Sequence, residues 1–223
     1  TGRQRSVRER LEQLREGHRR EVHAQWAHEL LTPLNAVLGC VLILEEEADT
    51  IERSELKEIL GSIRAGAERQ DRLARKLIRY FELEQLRERG SAAGGDGCEA
   101  PPTIAAGAER AAKEAQRDAD LIVASMPGQI PLLAEYLAVA VYEVTSNAFR
   151  FSEPGQEVSV TGTVQAGRYR IEIVDRGPGL PAEQRAQVGA FAQFDRHKRE
   201  QQGLGLGLAI ARSTAALAGG RLL

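Results

Sequence analysis

A short segment rich in glycine and proline, residues 90–102, divides the chain into two parts of different composition. It holds four glycines and two prolines in thirteen residues, which is typical of a flexible linker. Before it, residues 7–89 carry many charges, one proline and few glycines, a composition that predicts long helices. After it, helix and strand patterns alternate. The 223-residue chain is therefore expected to form a helical part and an α/β part joined by a hinge.

Apolar residues in the first part recur at alternating spacings of four and three, the pattern of a helix packed in a bundle. Two such runs flank the polar segment 45–50, which suits the turn of a helical hairpin. One hairpin leaves part of this apolar seam uncovered, so we expect a homodimer in which two hairpins form a four-helix bundle. The runs are Leu30, Leu34, Val37, Val41 and Leu44, then Leu56, Leu60, Ile63 and Ala67, continued by Ala74, Leu77 and Phe81.

Strand signals are confined to the second part of the chain. A short strand is predicted at 121–125. Apolar residues alternate at 158–164 and 169–173, and these two segments flank a turn at Ala166-Gly167. Because helical patterns lie between these strands, the second part is predicted to fold as an α/β sandwich.

Three helices are predicted in the second part: one near 104–118, one from Pro131 to about residue 151, and one that follows Gly207 and stops at Gly219-Gly220. The middle helix is expected to have a core face and a polar stripe. The core face comprises Leu133, Leu137, Ala140, Val144 and Ala148, and the polar stripe comprises Glu143, Asn147 and Arg150.

Composition argues against several classes of protein. Lys and Arg number 30 against 32 Asp and Glu, a formal net charge of −2, and aromatic residues make up 4%, so we expect no nucleic-acid binding. The longest apolar run, residues 36–44, is too short to span a bilayer. Residues 1–21 lack a secretory-signal pattern, and Cys40 and Cys98 make no disulfide framework. These features predict that this part of the protein is cytoplasmic, and they leave open whether the full-length protein is soluble or membrane-anchored.

Residues 27–35 contain a candidate reactive histidine. His28 lies two positions from the seam residue Leu30, so on a helix it faces water. The adjacent Glu29 could accept the proton on Nδ1 and leave Nε2 as a nucleophile. Pro33 removes a backbone donor and favours a kink beside the histidine. Taken alone, the segment also fits an ordinary surface histidine with a chance proline.

Two further segments have residue types that suit a nucleotide. On the polar stripe, the Asn147 amide could ligate magnesium and the Arg150 guanidinium could meet a phosphate. Asp175 follows a predicted strand and could accept a hydrogen bond from an exocyclic amine. Gly177 and Gly179 would let the backbone there turn closely around a flat ligand. Each segment alone also fits a solvated helix face or a tight turn.

Glycines alternate over residues 203–207, directly before a predicted helix. Free backbone N–H groups at such a helix start can hold phosphate oxygens. The segment does not follow a strand in a βαβ unit and is not a Walker loop, which disfavours a dinucleotide fold or a P-loop enzyme. Alone, it is weak support for a phosphate site.

Together and in this order, the segments resemble the sensor histidine kinases of two-component signalling. The resemblance covers about residues 20–223 and rests on five ordered motifs. These are His28-Glu29…Thr32-Pro33-Leu34 for the phosphoacceptor box, Glu143…Asn147-Ala148…Arg150-Phe151-Ser152 for the asparagine box, Asp175…Gly177…Gly179 for the first glycine box, Phe191…Phe194 for the phenylalanine box, and Gly203…Gly205…Gly207 for the second glycine box.

The resemblance implies an ATP-dependent kinase that phosphorylates itself on His28. The phosphoryl group then passes to an aspartate of a response-regulator receiver domain. Glu29 would be the base, and Thr32 would position water in the phosphatase reaction that such kinases also run.

The resemblance also assigns the nucleotide contacts. Asn147 would hold Mg²⁺, Arg150 would approach a phosphate, Phe151 would flank the adenine, and Asp175 would accept a hydrogen bond from the adenine amine. Residues 187–202 resemble the mobile lid over ATP. The remaining implied ATP-binding residues are Glu143, Gly177, Gly179, Arg196, Lys198, Gly203, Gly205, Leu206, Gly207 and Leu208, with Arg199 also available to phosphates.

The implied domains are a signalling coiled coil at 1–20, the phosphotransfer and dimerisation hairpin at 21–89, the linker at 90–102, and an ATP-binding domain of the gyrase, chaperone and kinase type at 103–223. A sensor domain is expected upstream, and the chain is expected to stop before the family's last strand pair. Leu31 stands where the family usually has a basic residue, which would alter docking of the regulator or the ATP domain if it is exposed.

Two other functions remain open at this stage. One is a scaffold that binds ATP as a conformational ligand without catalysis, against which the intact motifs argue. The other is an ATPase like those of chaperones and mismatch repair, which shares the glycine boxes but has no need of the histidine hairpin.

Overall fold

The structure, a computed structural model, describes residues 29–47, 49–89, 97–179 and 205–223. The chain divides into two compact units, with one boundary inside a long helix between Lys76 and Leu77. The described part of the first unit is residues 29–76, and the second unit comprises the rest of the described chain. Among the described helices, none has the length and apolar character needed to cross a membrane.

The first unit is a helical hairpin, as predicted. Helix α1 covers residues 29–47 of the described chain, and α2 runs from Arg53 to Glu88. The turn between them is narrower than the predicted segment 45–50, because α1 continues to Glu47, whose carbonyl accepts hydrogen bonds from the backbone N–H groups of Thr50 and Ile51, both at 2.9 Å. This hydrogen-bonded turn returns the chain along α1.

The two helices of the hairpin approach closely at Gly66 of α2. A Cβ atom at Gly66 would lie 2.6 Å from Val37 Cγ2 and 3.2 Å from the Pro33 carbonyl oxygen. Both distances are too short for a normal contact, so only glycine lets α2 pack against α1 at the level of Pro33.

The predicted apolar seam is only partly buried within one chain. Leu30, Val37 and Leu44 are half-buried, whereas Leu34 is 41% exposed and Leu60 is 50% exposed. The hairpin therefore presents a large apolar surface. Its other strongly exposed apolar side chains are Leu31, Leu38, Val41, Leu42 and Ile43.

The second unit is an α/β sandwich, as predicted. Its main sheet has the order β2-β4-β5, with β2 parallel to β4 and β4 antiparallel to β5, and a small second sheet pairs β1 with β3. In order along the chain, the elements are β1 (Cys98–Glu99), α3 (Ala100–Ala115), β2 (Leu121–Ser125), β3 (Gln129–Ile130), α4 (Ala134–Phe151), β4 (Val158–Gln165), β5 (Arg168–Val174) and α5 (Leu206–Leu217), with a 3-10 turn at Asp118–Asp120.

The register of the sheet places apolar residues toward the helices. Val158 and Val160 of β4 are fully buried, and Val160 lies opposite Ile173 of β5. The predicted turn between β4 and β5 is confirmed, since Ala166 (φ 49°) and Gly167 (φ 73°) both adopt the left-handed conformation of a tight hairpin. Helices α3 and α4 cover the buried face of this sheet.

Three predicted helix boundaries in the second unit were wrong. Helix α3 begins at Ala100 instead of residue 104, because Pro101 and Pro102 occupy its first turn, where a missing N–H costs nothing. Helix α4 begins at Ala134, with Leu133 as its N-cap, so Pro131 lies before the helix. Helix α5 begins at Leu206, two residues before the start predicted after Gly207.

The predicted linker 90–102 was wrong at its carboxyl end. Residues 98–99 form β1 and residues 100–102 begin α3, so both belong to the second unit. Residues 90–96 lie outside the described part of the chain. The Gly-rich stretch and the two prolines therefore have different roles, although they are adjacent in sequence.

The last turns of α2 pack into the core of the second unit. Leu83 has no exposed surface, and Leu86 packs against the cluster that includes Ile104, Leu137 and Val160. The Ser213 hydroxyl of α5 donates a 2.7 Å hydrogen bond to Glu84. One long helix thus begins in the hairpin and ends as part of the α/β unit.

Candidate functional site

Helix α4 carries the first group of predicted site residues, and its burial differs from the prediction. Glu143 is only 4% exposed, Asn147 is half-buried and Arg150 is exposed. The polar stripe is therefore not a solvated face at Glu143. Conversely, Leu133 is 43% exposed rather than part of the core. Glu143 is buried because α5, which is distant in sequence, covers the middle of this side of α4.

The start of α5 lies against Glu143 and Asn147. A Cβ atom at Gly207 would lie 2.7 Å from Glu143 Oε2 and 3.6 Å from Asn147 Nδ2. A Cβ atom there would require the Glu143 carboxylate to shift, so glycine lets the backbone of α5 lie close to these side chains in their present positions. The structure thus brings together the predicted asparagine box and the second glycine box.

The backbone at the start of α5 has the geometry expected for a phosphate site. Gly205 is the N-cap residue and has a φ of 65°, a left-handed conformation that favours glycine. Leu206 is 2% exposed and anchors the first turn in the core, whereas Leu208 is half-buried. The first N–H groups of a helix have no partner within the helix, so this end can bind an anion.

The end of α4 meets the first glycine box. A Cβ atom at Gly177 would lie 2.6 Å from the Phe151 carbonyl oxygen and 2.7 Å from Asp175 Oδ1. The Gly177 N–H donates a 2.7 Å hydrogen bond to the same Asp175 oxygen, and Gly179 has a φ of 69°. Phe151 and Asp175, both predicted to contact the adenine, are therefore adjacent across Gly177.

On the hairpin, the residue predicted to be the base is buried and paired. Glu29 is 5% exposed, and its Oε2 lies 3.4 Å from the Arg69 Nη2 of α2. Thr32 is exposed and Leu31 is 50% exposed. The expectation that exposure of Leu31 alters docking remains a prediction.

Arg69 was missed by the sequence reasoning. It lies 40 residues from Glu29, and nothing in the spacing of either residue marks it as the partner. Only the return of α2 along α1 brings the two side chains together. Arg69 helps to fix the orientation of the carboxylate next to the predicted phosphoacceptor.

Several predicted site residues lie outside the described part of the chain. These are His28, Phe191, Phe194, Arg196, Lys198, Arg199 and Gly203, together with the predicted lid at 187–202. The predicted coiled coil at 1–20 also lies outside it. These assignments stay predictions.

Two family models match the chain. One describes the His Kinase A phospho-acceptor domain and matches residues 18–86, and the other describes the histidine kinase-, DNA gyrase B- and HSP90-like ATPase and matches residues 133–223. The first match includes the hairpin, and the second includes α4, the main sheet from β4 onward and α5. The second match identifies that part of the chain as an ATP-binding domain.

Named relatives are similar to most of the chain. The swarming motility regulation sensor protein RssA of Serratia marcescens is 30% identical over 213 residues, 89% of this chain and 42% of the relative. The signal transduction histidine-protein kinase/phosphatase MprB of Mycolicibacterium vanbaalenii is 32% identical over 203 residues, 87% of this chain and 40% of the relative. This chain thus spans less than half the length of either relative.

A solved structure supports the same fold. The structure of full-length ShkA in complex with AMPPNP is 27% identical and superposes with a TM-score of 0.56, covering 88% of this chain and 40% of ShkA. Both family models, the relatives and the paired glycine-box contacts agree. The chain belongs to the sensor histidine kinases of two-component signalling.

Proposed function

We propose that the chain transfers the γ-phosphoryl group of ATP to His28 and then to an aspartate of a response-regulator receiver domain. The single observation that carries this proposal is the meeting of Glu143 and Asn147 with Gly207 in the second unit. This contact joins a polar helix face to an anion-binding helix start, which is the arrangement that a nucleotide triphosphate needs.

The two ends of the nucleotide fit the two contact regions of the second unit. The start of α5 at Gly205 offers backbone N–H groups to phosphates. The Asp175 carboxylate and the neighbouring Phe151 suit the amine and the flat face of an adenine. Arg150 is exposed at the end of α4, where its guanidinium can neutralise phosphate charge.

Magnesium fits the donor set beside Gly207. The Asn147 amide and the Glu143 carboxylate offer the hard oxygen ligands that Mg²⁺ prefers, and phosphate oxygens and water would complete its coordination. When bound, the ion neutralises charge on the transferring phosphoryl group.

The residues of the hairpin supply the acceptor. The Nε2 lone pair of His28 attacks the γ-phosphorus, the bond to the bridging oxygen breaks, and ADP leaves. The proton on Nδ1 passes to the Glu29 carboxylate, giving a neutral phosphoramidate ring. The ion pair between Glu29 and Arg69 supports this role because it holds the carboxylate in one orientation.

The surface of the hairpin supports a homodimer and a protein partner. Several large apolar side chains are exposed on one hairpin, so a second hairpin is the expected partner in a four-helix bundle. Thr32 is exposed and accessible to a receiver domain, and MprB is named a kinase/phosphatase. We therefore also propose that the chain dephosphorylates its regulator.

The decisive experiment is incubation of the purified chain with γ-labelled ATP and Mg²⁺, followed by mapping of the label. We expect acid-labile label on His28. His28→Gln should abolish labelling while nucleotide binding, measured by calorimetry, stays unchanged. Asn147→Ala should lose labelling together with magnesium-dependent binding, since it removes a ligand of the ion.

The outcomes separate the alternative functions. Label retained in His28→Gln would reject the assignment of His28. Phosphate release without any phosphoprotein would instead indicate an ATPase of the chaperone type. Binding of ATP with neither label nor hydrolysis would indicate a scaffold that uses ATP as a conformational ligand.

A further inference from the structure

Arg117 is a buried arginine in the connection between α3 and β2, and neither the predicted motifs nor the proposed reaction uses it. It lies at the N-cap of the 3-10 turn Asp118–Asp120, and only 8% of its side chain is exposed. A buried guanidinium requires hydrogen-bond partners for its N–H donors, so its contacts show what it holds.

The partners of Arg117 lie mainly at the carboxyl end of α4 and in the loop that follows it. The guanidinium carbon also lies 4.9 Å from the centroid of the Phe149 ring. Arg117 donates from Nε to Asp120 Oδ2 at 2.6 Å, from Nη1 to Phe149 O at 2.8 Å, Ser152 O at 3.1 Å and Ser152 Oγ at 3.0 Å, and from Nη2 to Glu153 O at 2.7 Å and Gln156 O at 2.8 Å.

These contacts satisfy carbonyl groups where α4 ends. The last carbonyls of a helix lack partners within it and carry partial negative charge, so a cation there is favourable. The Ser152 hydroxyl strengthens the same end by donating to the Ala148 carbonyl at 2.7 Å. Asp120 extends it by accepting from the Gly155 N–H at 2.9 Å. Arg117 thus joins the end of α4 and its following loop into one hydrogen-bonded unit.

The segment that Arg117 holds includes residues proposed to contact the nucleotide. Arg150 and Phe151 lie between its acceptors Phe149 and Ser152, and the Phe151 carbonyl abuts Gly177. A shift of this last turn would move Arg150, Phe151 and the backbone at Gly177 together. Small displacements of binding groups are costly, because affinity depends on pre-formed geometry.

We propose that Arg117 is a positioning residue for the nucleotide site, which fixes Arg150 and Phe151 by holding the carboxyl end of α4. It acts through α4 and makes no contact with the nucleotide itself. This inference rests on the proposed function, because it assumes that Arg150 and Phe151 contact ATP.

The test is the affinity of the full chain for AMPPNP in the presence of Mg²⁺, measured by calorimetry for Arg117→Lys. Lysine keeps the charge but lacks the planar fork that reaches several carbonyls at once. We expect Kd to rise about tenfold while the number of sites per folded chain stays the same. Amide hydrogen exchange at residues 149–156 should also become faster, with little change at 137–145.

Arg110→Lys is the matched control. Arg110 belongs to α3, pairs with Glu114 at 3.1 Å and lies 4.4 Å from the ring centroid of Tyr142 on α4. It therefore also contacts α4, but at an exposed position away from the end of that helix. Its substitution should leave the affinity for AMPPNP unchanged.

A purely structural role gives a different result. Arg117→Lys would then lower the melting temperature or the fraction of competent chains, with Kd unchanged, and this would overturn the inference.

If Arg117→Lys does not fold, Ser152→Ala removes one acceptor, and we expect Kd to rise about threefold. An unchanged Kd in that variant would overturn the inference too. Failure of the unsubstituted chain to bind AMPPNP would instead reject the proposed function.

Discussion

Two glycines of the proposed nucleotide site lie at close contacts between backbone and side chains of distant segments. Gly207 faces the carboxylate of Glu143, and Gly177 faces the carbonyl of Phe151. A Cβ atom at either position would lie too close to the facing oxygen atom. The residue type at these positions is therefore set by packing between distant segments, and not by a turn alone.

Substitution of Gly207 by alanine tests this packing. The new Cβ would lie 2.7 Å from Glu143 Oε2, so the buried carboxylate must shift and Asn147 with it. Alanine also favours a helix by about 1 kcal/mol relative to glycine. Because this gain offsets the cost of moving Glu143, the thermal stability of Gly207→Ala should change little. We expect the affinity for ATP to fall about tenfold, measured by calorimetry.

Gly61→Ala provides the control for this prediction. Gly61 lies on α2, and a Cβ atom there meets nothing within 4 Å among the described residues. Its substitution should leave ATP affinity unchanged. Wild-type affinity in Gly207→Ala would show that Glu143 has room to move and that its position is unimportant for the nucleotide.

At the scale of single elements, the helices of the hairpin are positioned by one close approach. Gly66 lets α2 lie against Pro33 and Val37 of α1. Pro33 is also the residue predicted to kink α1 beside His28, and it is buried in the structure. This close approach therefore lies beside the predicted phosphoacceptor box.

The pair Gly66→Ala and Gly61→Ala tests this close approach on one helix. Both substitutions gain about 1 kcal/mol of helix propensity. Gly61→Ala should therefore raise the melting temperature. Gly66→Ala should lower it, because the Cβ would lie 2.6 Å from Val37 Cγ2 and 3.2 Å from a backbone oxygen, and overpacking costs about 1–3 kcal/mol. Equal stabilisation by both variants in thermal denaturation would contradict the tight contact.

At the scale of the whole molecule, the notable element is α2, which is shared between the two units. Its residues up to Lys76 belong to the hairpin, and those from Leu77 belong to the α/β unit. Leu83 is fully buried in that unit, and Arg79 lies 5.2 Å from the ring centroid of Tyr136 on α4. The α/β unit therefore includes a helix segment that the family model assigns to the phospho-acceptor domain.

Removal of the Leu83 side chain tests whether this segment stabilises the α/β unit. Truncation of a buried leucine to alanine costs about 2–5 kcal/mol. We expect Leu83→Ala to speed amide hydrogen exchange of residues 137–149 in α4 and to leave exchange of residues 33–66 in the hairpin unchanged. Ile78→Ala, on the same helix where the side chain is 58% exposed, should have little effect. Equal exchange in the two variants would contradict the packing of Leu83.

The sequence by itself was enough to determine the fold class and the family, and it predicted the candidate site residues. Helical spacing, strand alternation and the turn at Ala166-Gly167 are local signals, since they depend on residues close together in the chain. The order of the five motifs identified the family more specifically than any single motif does. The hairpin, the α/β sandwich and the membership of the histidine kinases were confirmed for this reason.

Only the tertiary structure decided which of these residues are buried and what they contact. Glu143 is covered by α5, which begins more than sixty residues later, and Pro101 and Pro102 start a helix although they adjoin a Gly-rich stretch. The partner of Glu29 lies 40 residues away in the chain, and the partners of Arg117 on α4 and the loop after it lie 32 to 39 residues away. Periodicity reports only the face of an element on which a residue lies. The element that covers that face is set by packing of the whole chain.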